Sequence, residues 1–148
     1  MNARDIMTTD ILTLPPECSI REAVGKFGET KFQAFPVVDD TGILLGTLNI
    51  WRVLRQVMPP YILSGDLPSV PFAPDLDLLH ERLATLGAQP VTAIMNTTPP
   101  VVRPDSSVLE CAALMVNAPK TIPLLPVVEA SRRLLGIVTP WDLIKEIA

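Results

Sequence analysis

Leu134–Leu143, LLGIVTPWDL, reads as a short apolar strand running into a helix, with Thr139 at the junction, Pro140 at the first helical position and Asp142 three residues after the threonine. A threonine hydroxyl can accept from the first free amides of a helix. Proline loses nothing at that position, and an acid suits the positive end of the helix. A second stretch, Leu44–Leu54, LLGTLNIWRVL, repeats the pattern. Aligned without gaps, Pro36–Trp51 and Pro126–Trp141 share seven identities in sixteen positions at a spacing of 90 residues. Self-similarity at a fixed period marks a duplicated unit.

Working outward from the two copies gives the same element order twice: strand, helix, strand, strand, helix. In the first copy Asn2–Met7 forms a helical turn and Ile11–Leu14 a strand closed by Pro15 and Pro16. Ser19 caps a helix with Glu22 as its capping-box partner, and Gly28 ends that helix. Ala34–Val38 and Ile43–Leu48 form a hairpin around Gly42, and Asn49 caps a helix running to Val57. In the second copy Ile94–Met95 echoes the leading turn and Val101–Val102 is the first strand. Ser107 caps a helix with Glu110 at the box position, Leu124–Val128 and Leu134–Val138 form the hairpin, and Thr139 caps the last helix. The offset grows from 88 to 90 residues, which places an insertion near 117–121. The units are 1–58 and 91–148. Between them, 59–90 is a proline-rich connector with a helix over 75–86, capped by Asp75, striped by Leu76, Leu79, Leu83 and Leu86 and ended by Gly87.

Composition excludes several classes. The 148 residues are 48% hydrophobic and 19% charged, enough apolar material for a packed core. The net charge of −4 argues against nucleic acid, which asks for a basic face. No stretch approaches the roughly 20 apolar residues of a membrane span, and the first ten residues lack the apolar centre of a signal peptide. Cys18 and Cys111 form no metal or redox motif and read as small buried side chains of a cytoplasmic protein. His80, alone on the connector helix, reads as a surface residue. Sixteen prolines punctuate short elements.

The duplicated unit resembles the CBS domain, named for cystathionine β-synthase. The residues that carry the resemblance are Phe35-Pro36-Val37-Val38-Asp39 with Leu45-Gly46-Thr47-Leu48-Asn49, and Leu125-Pro126-Val127-Val128-Glu129 with Leu135-Gly136-Ile137-Val138-Thr139. The resemblance implies an α/β (α+β) fold of tandem CBS domains, each β-α-β-β-α, packed through their sheets about a pseudo-twofold axis: the Bateman module. It also implies pairing of modules through their helices. Wide apolar stripes fit that pairing: Ile50, Trp51, Val53, Leu54, Val57 and Met58 on one final helix, and Trp141, Leu143, Ile144 and Ile147 on the other. A homodimer is the expectation.

The resemblance further implies an adenosine-containing ligand, such as AMP, ADP, ATP or S-adenosylmethionine, in a cleft between the repeats, and control of a separate regulated protein whose identity is unknown. Thr139 and Asp142 match the family's ligand positions, the carboxylate taking the ribose diol through paired charge-assisted hydrogen bonds. Asp10, Ile11 and Leu12, with Phe32, Gln33 and Ala34, would surround the adenine. The same Thr-x-x-Asp is equally a helix cap that needs no ligand. In the other cleft Asn49 still caps, but Arg52 replaces the family acid, pointing to anion binding or to loss of the site. The family's basic positions ahead of the Pro-Val-Val strand are uncharged here, Gln33-Ala34 and Pro123-Leu124. Lys31, Lys120, Arg132 and Arg133 lie off the pattern, so a ligand of little phosphate charge is expected.

No cofactor and no metal are required. No catalytic residue is expected: Gly25-Lys26 lacks the rest of a phosphate loop, and with one histidine a Ser/His or Cys/His nucleophile system would have to use His80. The alternative to ligand sensing is a ligand-free pair that serves as a dimerisation or docking unit.

Overall fold

The computed structural model describes residues 1–60, 76–118 and 122–148. The elements are α1 (Ala3–Ile6), α2 (Ile20–Thr30), β1 (Ala34–Val38), β2 (Leu44–Asn49), α3 (Ile50–Val57), α4 (Leu76–Gly87), a 3-10 turn (Val91–Ala93), α5 (Val108–Asn117), β3 (Leu125–Val128), β4 (Leu134–Val138) and α6 (Pro140–Ile147). β1 pairs with β2 and β3 with β4, both antiparallel, with Val37 opposite Gly46 and Val127 opposite Gly136. Each hairpin carries an irregularity at the same place, Val37/Val38 and Val127/Val128, so the copies agree down to the register shift.

The two helices of each unit begin where the sequence places a cap. The Asn49 side chain accepts from the Arg52 amide at 2.8 Å, Ser107 from Glu110 at 3.0 Å and Ser19 from Glu22 at 3.1 Å. At Ser19 and Ser107 the expected boxes are incomplete: neither glutamate reaches back to the cap amide, and the Glu22 carboxylate takes the Ser19 hydroxyl at 3.2 Å instead. Gly28 does not end α2. The helix runs on to Thr30, whose hydroxyl bonds back to the Lys26 carbonyl, and Lys31 closes it at φ 60°. The expected first strands shrink to single parallel bridges, Leu14 with Val37 and Val102 with Val127. Prolines 15, 16, 99, 100 and 104 flank these residues and have no N–H to extend a ladder. The expected insertion falls partly on residues 119–121, and the Asp75 cap on residue 75, outside the described residues. On α4, Leu83 and Leu86 pack against the first core, whereas Leu76 is exposed.

Each unit lends the other its leading segment. Ala3 and Ile6 are buried with Val102, Cys111, Leu125, Val127 and Leu143 of the second unit. Val91 and Ile94 are buried with Leu14, Ile20, Phe35 and Leu48 of the first. The backbone follows suit. Thr8 and Ile137 exchange amide–carbonyl bonds at 2.8 and 2.9 Å, and Thr47 and Asn96 do the same at 3.0 and 2.8 Å. These crossings explain the glycine in each LLG. A Cβ on Gly136 would sit 2.8 Å from the Thr8 carbonyl oxygen, and one on Gly46 would strike the Asn96 carbonyl.

The hairpin tips also meet. The Leu44 amide donates to Arg132 and the Leu134 amide to Gly42, at 2.9 and 3.0 Å, across an approximate twofold. Both acceptors hold positive φ, 88° at Gly42 and 71° at Arg132. The left-handed turn is thus kept in the second unit without glycine, at a cost of about 1 kcal/mol.

Candidate functional site

The twofold relation sets the cap of each final helix beside the leading segment of the opposite unit, Thr139 and Asp142 beside Thr8, and Asn49 and Arg52 beside Ile94 and Asn96. At the C-terminal cap Asp142 is 2% exposed. Its carboxylate accepts from the Thr139 amide at 2.8 Å and the Thr139 hydroxyl at 3.0 Å, completing a capping box. It also accepts from the Thr8 hydroxyl at 3.1 Å and meets the Lys145 ammonium at 3.3 Å. The carboxylate is therefore filled by internal donors, and it ties the lent segment of the first unit to the helix of the second.

The residues expected around an adenine lie on the segment leaving Thr8 and at the start of β1. Asp10 is exposed, Ile11 and Leu12 are half-buried, Phe32 and Gln33 are exposed and Ala34 is buried. Phe32 meets Phe35 edge-on at 6.1 Å, and the Gln33 carbonyl takes the first amide of α3 at 2.9 Å. Among the described residues, no hydrogen bond links these six to Thr139 or Asp142.

The open cleft lies at the other cap. A space of about 1160 Å³ is lined by Asn49 at the cap of α3, by Trp51, Arg52, Arg55 and Gln56 on α3, and from the second unit by Asn96, Pro100, Glu110, Leu114 and Ile122 among others. Asn49 and Arg52 were expected to frame it. Arg55 and Glu110 were not, because the pattern of the resemblance points to cap and strand-start positions and not to the second turn of a helix. A signal was present: the turn Arg52-Val53-Leu54-Arg55 stands where the other copy has Asp142-Leu143-Ile144-Lys145. The Arg52 Nε donates to the Ile94 carbonyl at 2.7 Å, so this side chain tethers its lent segment as Asp142 tethers the other, with the opposite charge. The cleft offers two guanidinium groups, amides from Asn49, Asn96 and Gln56, and an apolar wall, a set that can hold a flat heterocycle with an anionic end.

Among the described residues no cluster of His, Cys, Asp and Glu could hold a metal ion, and no helix is long and apolar enough to cross a membrane. His80 is exposed on α4, as expected.

Comparison with known proteins places this geometry. The CBS domain family model matches residues 3–59 and again 91–148. An uncharacterized protein of Methanocaldococcus jannaschii is 31% identical over 145 residues, covering 97% of this chain; the chain spans 31% of that protein's length. The crystal structure of CBSX2 from Arabidopsis thaliana in complex with AMP superposes with a TM-score of 0.73 at 23% identity, covering 99% of this chain and 95% of that one. The CBS domain pair of protein MJ0100, solved in complex with 5′-methylthioadenosine and S-adenosyl-L-methionine, gives a TM-score of 0.69 at 22% identity over all of both chains. With the family model matched twice and the two-unit architecture shared, the chain belongs to the CBS domain family as a tandem pair of CBS domains.

Proposed function

We propose that this CBS pair is a regulatory ligand sensor, without catalysis of its own, that binds an adenosine-type ligand in the cleft between its units and controls a protein attached to it or separate from it. The observation that carries the reading is the open space bounded by Asn49 and Arg52 of one unit and by Asn96, Pro100 and Ile122 of the other. A ligand there touches both units at once, which is what sensing requires. The ligands of CBSX2 and of the MJ0100 pair support an adenosine compound. A ribose at Thr139 and Asp142, with Asp10, Ile11, Leu12, Phe32, Gln33 and Ala34 about the base, must take the place of the Thr8 hydroxyl on the carboxylate. That seat is the weaker of the two. Calorimetric titration with adenosine, AMP, 5′-methylthioadenosine and S-adenosylmethionine, with GMP as control, is expected to show at least one adenosine compound binding one per chain. Silence from all of them refutes the reading.

A second role, pairing of two copies, is favoured by the exposed apolar faces of the final helices. Trp51 is 51% exposed and Trp141 66%, with Leu54, Ile144 and Ile147 beside them. We propose a homodimer through these faces. Sedimentation at twice the chain mass, falling to one chain mass in Trp141→Glu, is the expected result; a monomer mass for the unaltered chain refutes it.

A further inference from the structure

We infer that the open cleft selects a nucleoside monophosphate and seats its phosphate on Arg52 and Arg55. The inference rests on the adenosine reading above and adds the charge of the ligand and the residues that count it.

The two final helices answer one another position by position. In α6 the second-turn cation Lys145 is neutralised by Asp142 at 3.3 Å. The matching pair in α3 is Arg52 and Arg55, so the acid of the twin has become a second cation. Side chains three residues apart share a helix face, and like charges there repel by a few tenths of a kcal/mol. Among the described residues neither arginine has an ion pair. Arg52 is anchored through Nε to the Ile94 carbonyl, which leaves its two terminal nitrogens for another acceptor. Arg55 is exposed and lines the same space. Two guanidinium forks side by side suit a phosphate, which each can grip with paired N–H donors.

The rest of the lining fixes the size of the charge. Residues 123 and 124, where the family would be expected to place basic residues, are proline and leucine, so among the described lining residues the positive charge comes from α3. Glu110 on α5 is the acid among the lining residues. Among the described lining residues, two cations and one acid leave a single excess positive charge. A phosphate monoester carries a charge of about −1.5 to −2 at neutral pH. A triphosphate brings more negative charge than the arginines meet and approaches Glu110. The sulfonium of S-adenosylmethionine gains nothing from this end. The apolar wall of Pro100, Ala113, Leu114 and Ile122 is left for the base.

The test is calorimetry on the full chain with adenosine, AMP, ADP and ATP. AMP is expected to bind about ten-fold or more tightly than adenosine, the margin shrinking as salt is raised, and ATP no tighter than AMP. Arg55→Gln is the decisive variant: the side chain is exposed and makes no described bond, so the fold is kept, which an unchanged melting temperature checks. It is expected to shrink the AMP-over-adenosine margin several-fold, and Glu110→Gln to narrow the gap between ATP and AMP. Equal affinity for AMP and adenosine in the unaltered chain, or a margin untouched by Arg55→Gln, overturns this inference and leaves the adenosine reading standing. No binding by any of the four overturns this inference, and silence from 5′-methylthioadenosine and S-adenosylmethionine as well overturns both.

Discussion

Replacing Asp142 by alanine removes more than a surface acid. The side chain is 2% exposed, and four contacts end on its carboxylate. Loss of the capping box with Thr139 costs about 1 kcal/mol. Loss of the hydrogen bond from Thr8, an ionised acceptor reached from 134 residues away, costs about 1.5 kcal/mol. The Lys145 contact adds a few tenths at most, because that side chain is 44% exposed and screened by water. The total is about 3 kcal/mol. For a chain of this size that lowers the melting temperature by roughly 6–12 °C. Differential scanning calorimetry or urea unfolding measures it directly. Arg52→Ala, which gives up one bond to the Ile94 carbonyl, serves as the internal comparison at about 1 kcal/mol. If Asp142→Ala costs less than about 1 kcal/mol, the contacts of the carboxylate are incidental. The assignment of Asp142 as the tie between the lent segment and α6 is then wrong.

Two further outcomes follow from the same geometry. Gly136→Ala places a methyl carbon 2.8 Å from the Thr8 carbonyl and 2.9 Å from the Met7 sulfur, so β4 or the lent segment must shift; a loss of about 1–3 kcal/mol by chemical denaturation is expected, whereas Gly25→Ala, with nothing within 4 Å, is neutral or stabilising. The Asp39 carboxyl is held below the ordinary aspartate range, first by the Thr41 hydroxyl and then by the Ile43 amide. A depressed carboxyl stabilises the fold above its unfolded pKa of about 3.9 and loses that contribution as pH falls through the lower folded value. Asp39→Asn is therefore expected to flatten the acid limb of the stability curve below about pH 4, and an unchanged limb refutes the assignment.

What could be read from the residues was what the residues do locally. The caps at Ser19, Asn49, Ser107 and Thr139, the turn around Gly42 and the doubled LLG segment carried the element order, because caps and turns are settled within three or four residues and the repeat is visible in the residues themselves. The first strands were over-read, since Ile11–Leu14 has the composition of a strand but its proline neighbours leave one bridge. The lending of Ala3–Ile6 and Val91–Ile94 across the twofold left no local trace, because an apolar pair looks the same whichever core receives it. At the site, Asn49 and Arg52 were legible from their place in the duplicated motif. The filling of Asp142 by Thr8 was not, since nothing in the chain announces a bond across 134 residues. Arg55 acquires meaning only beside Lys145, when one copy is laid on the other and the acid between them is found to be missing.

The exchange of leading segments sets the size of the smallest piece that can melt. Opening the first unit pulls Ala3 and Ile6 out of the second core, and opening the second withdraws Val91 and Ile94 from the first. Neither half can lose order without exposing apolar surface in the other, so the two units are thermodynamically one cooperative block. A molecule bound between the units, as proposed above, would thereby stiffen both leading segments at once.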